Sequence, residues 1–94
     1  MTRALLLENS HPIADEIFAK FGIEVTRVKG ALSEDNLIDA LDGVDYLGVR
    51  SKTEVTERVL RARPNLKAIG AFCIGTNQID LATATEMGIA VFNA

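Results

Sequence analysis

The sequence is poor in cysteine and lacks any long apolar run. Its single cysteine, Cys73, excludes a disulfide within the chain and suits a reducing cytoplasm. No apolar stretch approaches the roughly 20 residues that a membrane span requires. The run at residues 4–7 is also too short for the core of a signal peptide. We therefore expect a cytoplasmic location and no membrane partner.

An excess of positive charge is also absent, since 10 Lys and Arg stand against 13 Asp and Glu. The 94 residues carry a formal net charge of −3, and the sequence pI is about 5.0. A nucleic-acid-binding surface would need a basic stripe and a high pI, so we expect no nucleic-acid partner.

Several chemical motifs are absent. The chain has no glycine-rich dinucleotide fingerprint, no Walker A loop and no metal-ligand spacing of His and Cys. The only histidine, His11, fits a surface or capping role better than that of a base, and Cys73 fits a buried, inert thiol. We expect no catalytic residue, no metal site and no cofactor site within this segment.

Short apolar runs alternate with segments of helical periodicity. Strands are predicted at residues 4–7, 23–28, 46–49, 66–72 and 89–92. Ser33, Thr53 and Asp80 are the predicted N-caps of three of the four helices between them. This alternation predicts an α/β fold, a parallel sheet with helices on both faces. A second strand with one polar face suits a sheet edge, which favours the flavodoxin-like strand order 2-1-3-4-5.

Polar residues cluster after the third predicted strand. Ligands of open parallel sheets bind beyond the carboxyl ends of the strands, near the point where the strand order reverses. Arg50, Ser51 and Lys52 stand there, and Gly75 in the next loop permits close approach of its backbone. One interpretation is a small-anion site, with Arg50 donating two parallel hydrogen bonds and Lys52 acting as a point charge. The alternative is that both cations are solvated and that Gly75 only turns the chain.

Three stretches, at residues 49–53, 69–81 and 91–94, resemble the D-2-hydroxyacid dehydrogenases. Residues 72–81 resemble the bacterial D-3-phosphoglycerate dehydrogenases within that family. The resemblance implies a flavodoxin-like substrate-binding domain, joined in the whole enzyme to a Rossmann domain that carries NAD and the catalytic Arg, Glu and His. It also implies the reaction, which is oxidation of 3-phosphoglycerate to 3-phosphohydroxypyruvate at the entry to serine biosynthesis.

The resemblance also assigns roles to individual positions. The implied substrate-binding residues are Arg50, Ser51, Lys52, Ile74 and Gly75. Asn93 matches the hinge asparagine beside the nicotinamide end of the cleft. Lys52 keeps the positive charge where some relatives have Arg, whereas Ala71 stands where other branches carry Arg.

We expect residues 1–94 to form one substrate-binding domain that stops before the NAD-binding domain and is inactive alone. A face left uncovered should stay apolar and favour a homo-oligomer. Two other interpretations stay open. The chain could be a folding module that binds no ligand, or a receiver-like regulator, although Arg50 and Ser51 stand where a receiver needs its phosphoacceptor Asp.

Overall fold

The computed structural model describes residues 2–8, 18–50, 52–71 and 78–93. Within these ranges the strands are β1 (Arg3–Leu6), β2 (Glu24–Arg27), β3 (Tyr46–Val49), β4 (Ala68–Ala71) and β5 (Ala90–Asn93). The helices are α1 (Glu34–Ala40), α2 (Glu57–Ala62) and α3 (Leu81–Glu86), and residues 18–20 are also helical. None of the described helices is both long and apolar enough to cross a membrane.

All five strands run parallel in the order β2-β1-β3-β4-β5. The predicted flavodoxin-like order is therefore confirmed. Strand β1 is buried from Ala4 onward because it lies inside the sheet between β2 and β3. Strand β2 is mostly exposed, as expected for an edge strand whose sequence alternates apolar and polar residues.

The main hydrophobic core lies on one face of the sheet. Leu5, Leu47, Ile69 and Val91 are aligned across four adjacent strands and point to this face. Helices α1, α2 and α3 cover them with buried apolar side chains, namely Leu37, Leu41, Val59, Leu60 and Ala84. Successive side chains on a strand point to opposite faces, so residues aligned across neighbouring strands share a face. These four side chains therefore form one apolar row beneath the helices.

The opposite face carries the alternate residues. Ala4, Tyr46 and Ala68 are aligned there, and the ring of Phe18 stacks on Tyr46 with 6.4 Å between centroids. The helical residues 18–20 therefore lie on the side away from α1, α2 and α3, which agrees with the predicted helices on both faces.

Two of the three predicted N-caps are confirmed, and the third is wrong. The side chains of Ser33 and Asp80 accept hydrogen bonds from the first turns of α1 and α3. Helix α2 is capped by Thr56, whereas Thr53 is fully buried. The chain stays extended beyond Thr53 because Val55 forms a parallel bridge with Ile79, which delays the helix by three residues.

Candidate anion-binding loop

The candidate site lies where the inner strands end. The strands are parallel, so the residues that follow β1 and β3 meet at the same edge of the sheet. Glu8 follows β1, and Arg50 and Lys52 follow β3. Strands β1 and β3 are neighbours although β2 comes between them in sequence, which places these residues at the predicted switch point.

The side chain of Glu8 is bound by the backbone of the next strand's loop. Its Oε2 accepts hydrogen bonds from the N–H of Arg50 at 2.9 Å and the N–H of Thr53 at 3.1 Å. Its Oε1 accepts from the N–H of Lys52 at 2.7 Å. Nearby backbone amides that converge on one point form an anion-binding concavity, or nest, and here the anion is a side chain of the protein itself.

These contacts set the charge state of Glu8. Burial alone would raise the pKa of its carboxyl, but the hydrogen bonds from the N–H groups of Arg50, Lys52 and Thr53 more than offset this. The net result is a pKa below the ordinary value of 4.5, so Glu8 is ionised at neutral pH. The Thr53 hydroxyl is buried and makes no hydrogen bond of ordinary geometry within the described residues.

A second contact holds the loop from its other side. The Nε2 of Gln78 donates to the carbonyl oxygen of Arg50 at 2.8 Å. Gln78 is itself fixed, because its carbonyl accepts from the N–H of Val55 at 2.8 Å, next to the bridge between Val55 and Ile79. The backbone of Arg50 is therefore bonded through both its N–H and its C=O.

The side chains of Arg50 and Lys52 are left available. Both residues are exposed, and neither makes an ion pair with any other residue in the described ranges. Since Glu8 already occupies the N–H groups of Arg50, Lys52 and Thr53, a bound anion would be met here by the two cationic side chains.

Ser51, Ile74 and Gly75 lie outside the described residues, as do His11 and Cys73. Asn93 ends β5, aligned with Ala71 of β4, which puts its backbone at the same edge of the sheet.

Glu8 was not among the site residues predicted from the sequence. The available signal was an acidic residue directly after a buried strand, beside the switch point. Its backbone φ of 59° lies in the left-handed region, which is uncommon for a residue other than glycine.

A shallow concavity of about 300 Å³ adjoins the loop. Its lining residues are Leu32, Ser33, Glu34, Lys52, Glu54 and Thr56. Among the residues that the structure describes, no three His, Cys, Asp or Glu side chains are grouped so that they could hold a metal ion.

A five-stranded parallel sheet in this strand order, with helices packed on it, defines a flavodoxin-like α/β domain. The sequence matches the family of the D-isomer specific 2-hydroxyacid dehydrogenase catalytic domain over residues 4–94, and the chain belongs to this family.

Curated relatives share nearly half of its residues. D-3-phosphoglycerate dehydrogenase 2 of Saccharomyces cerevisiae is 50% identical over 90 residues, which is 96% of this chain and 19% of the yeast protein. The D-3-phosphoglycerate dehydrogenase of Escherichia coli K12 is 44% identical over 91 residues, which is 96% of this chain and 22% of that enzyme. The chain thus spans about a fifth of the length of these relatives.

Solved structures share the fold. A protein from Pyrococcus horikoshii OT3 superposes with a TM-score of 0.89 at 26% identity, covering 100% of this chain and 28% of its own. An NAD⁺-bound 3-phosphoglycerate dehydrogenase from Entamoeba histolytica has a TM-score of 0.82 at 21% identity, covering 99% of this chain and 33% of its own.

Proposed function

We propose that this chain supplies the substrate-binding part of an NAD-dependent D-3-phosphoglycerate dehydrogenase, in which 3-phosphoglycerate is oxidised to 3-phosphohydroxypyruvate in the cytoplasm. The proposed substrate-binding residues are Arg50, Ser51, Lys52, Ile74 and Gly75. The observation that carries the proposal is the pair of exposed cations, unpaired among the described residues, on a loop whose backbone is fixed at the switch point. The similarity of the chain to D-3-phosphoglycerate dehydrogenases supports 3-phosphoglycerate, rather than another small anion, as the proposed substrate.

The role of these residues is to bind and orient the substrate. The Arg50 guanidinium can hold one carboxylate or phosphate through two hydrogen bonds. The Lys52 ammonium supplies a second positive charge next to the ligand, which is a trianion. Bound NAD would accept the hydride. Asn93, at the end of β5, would lie beside the nicotinamide end of the cleft. The printed chain carries no dinucleotide fingerprint, so we propose that it does not turn over substrate alone.

Titration with 3-phosphoglycerate tests this function. We expect chemical-shift changes in the backbone amides of residues 50–53 and 74–77, followed by NMR at millimolar ligand. Arg50→Ala should weaken the affinity by about tenfold or more, because a hydrogen bond to a charged group is lost.

Lys67→Ala is the matched control. Lys67 is exposed and directly precedes β4. Its substitution removes one positive charge, as Arg50→Ala does, but at the amino ends of the strands rather than at their carboxyl ends. No shift changes in a well-dispersed wild-type spectrum would contradict the proposal and favour a folding module that binds no ligand. An equal effect of both substitutions would show charge attraction without a site.

We also propose that the chain associates with itself through the face that carries Phe92. This side chain is 64% exposed and is aligned with Gly70 of β4, on the face away from the main core. A large ring beside residues with little or no side chain leaves apolar surface that a second copy can cover.

A further inference from the structure

We propose that Glu8 is a positioning residue, whose carboxylate fixes the backbone from which Arg50 and Lys52 reach the substrate. This inference rests on the proposed function of that loop. Glu8 would touch no substrate itself, because both of its oxygens already accept hydrogen bonds from the loop.

The contacts have the geometry that such a role needs. Arg50, Lys52 and Thr53 lie 42, 44 and 45 residues after Glu8, and all three donate to its carboxylate at 2.7–3.1 Å. One side chain therefore holds three amides of a segment far away in sequence. A loop bonded at three points has fewer accessible conformations than one held only at its ends.

The position of Arg50 is determined more tightly still. Its N–H donates to Glu8, and its C=O accepts from Gln78, so the peptide groups on both sides of its Cα are held. A binding side chain is placed accurately when the backbone beneath it is held by a supporting set of hydrogen bonds. Glu8 provides that support from β1, and Gln78 provides it from the segment that pairs with Val55.

The backbone of Glu8 gives independent support. A φ of 59° is unfavourable for a side chain with a Cβ, and such conformations persist where the surrounding structure requires them. Here the left-handed turn directly after β1 accompanies the placement of the carboxylate on the amides of the neighbouring loop. The occupied nest also removes those amides from competition, which leaves anion binding to the side chains of Arg50 and Lys52.

Amide hydrogen exchange in Glu8→Gln tests whether the carboxylate holds the loop. The amide of Gln keeps the size of the side chain but removes the charge and one acceptor. We expect the exchange of the Arg50, Lys52 and Thr53 amides to accelerate by about tenfold or more, while the amides of β3 keep their protection. Glu24→Gln is the matched control. Glu24 is the first residue of β2, at the amino ends of the strands and away from the loop, and its side chain pairs with exposed Arg3.

The affinity for 3-phosphoglycerate is the second readout, measured on the same variants by NMR titration. Glu8→Gln should weaken binding several-fold, and Glu24→Gln should not. Glu8→Asp keeps the charge but shortens the reach, and it should fall between wild type and Glu8→Gln in both measurements.

The outcomes separate the two proposals. Unchanged exchange of the three amides in Glu8→Gln would overturn the positioning role, and so would faster exchange with unchanged affinity. A third outcome is that the wild-type chain binds no 3-phosphoglycerate although the three amides exchange faster in Glu8→Gln. In that case the proposed function is wrong, and Glu8 does not position a substrate. The finding that Glu8 holds the loop would still be valid.

Discussion

At the scale of single residues, the candidate site depends on one acidic side chain in an unusual setting. Glu8 is half-buried, and its carboxylate is surrounded by N–H donors. Glu8 is hydrogen-bonded to Gly30 and to residues 50, 52 and 53. The charged residues in or next to these segments are Lys29, Arg50, Lys52 and Glu54. The hydrogen bonds favour the ionised form in the folded state, so folding and deprotonation of Glu8 are coupled.

This coupling predicts how stability changes with pH. The pKa of Glu8 in the folded chain lies below the ordinary value of 4.5. The contribution of Glu8 to the free energy of unfolding is therefore complete above about pH 4.5, and it is lost as the pH falls through the lowered pKa. Glu8→Gln should lower the free energy of unfolding at pH 7 by roughly 1–2 kcal/mol, with partial exposure keeping the effect modest. The difference from wild type should shrink as the pH falls below 4.5, which urea denaturation at pH 3–7 would measure. A constant difference across that range would argue against the coupling.

At the scale of elements, the starts of α1 and α2 are joined by a polar cluster. Arg58 of α2 forms ion pairs with Glu34 and Asp35 of α1 at 2.7 and 2.5 Å. The hydroxyl of Thr56 donates to Glu34 while it accepts the capping bond from the N–H of Val59. Bonds from Thr56 and Arg58 lower the pKa of Glu34. Thr56 thus caps one helix and contacts the start of another, which sequence spacing alone does not reveal.

Removal of this cap should destabilise the fold. Thr56→Ala is expected to cost about 1 kcal/mol or slightly more in the free energy of unfolding, because an N-cap hydrogen bond is lost. Thr85→Ala, at an exposed position within α3, makes the same chemical change without a cap and should be nearly neutral. Thermal or urea denaturation of the two variants gives the comparison. Equal stability of both would show that Thr56 does not act as the cap.

At the scale of the whole molecule, the described residues of one face of the sheet are more exposed than those of the other. The main core gathers residues from all three helices and the aligned strand residues. On the opposite face, exposure increases from Gly48 to Gly70 to Phe92 along one aligned row. Apolar surface on that row is available to a second molecule, which is the basis of the proposed self-association.

Substitution of Phe92 tests this surface. Phe92→Lys should lower the average mass in analytical ultracentrifugation at high concentration, since burial of a charged side chain in an apolar contact is costly. Phe21→Lys is the control, because Phe21 is 76% exposed in a turn outside the strands. A wild-type chain that sediments as a monomer throughout would exclude the proposed contact.

Much of the fold follows from local patterns. The five strands and the caps Ser33 and Asp80 were predicted because burial of apolar runs and helix capping act over a few residues. The strand order followed from the polar face of the second strand, which indicated a sheet edge. Thr53 was wrongly predicted as a cap because the bridge between Val55 and Ile79 is a contact across 24 positions. Local capping preference could not detect a pairing that keeps the chain extended.

The sequence by itself determined the sheet, its edge strand β2 and the presence of Arg50 and Lys52 after β3, since each depends on neighbouring residues. Only the tertiary structure decided what holds that loop. Glu8 meets the amides of residues 50, 52 and 53 because β1 and β3 are adjacent in the sheet while 42–45 residues separate the partners in sequence. Hydrogen bonds between backbone amides and a distant carboxylate leave no periodicity in the sequence, so they arise only when the sheet is assembled.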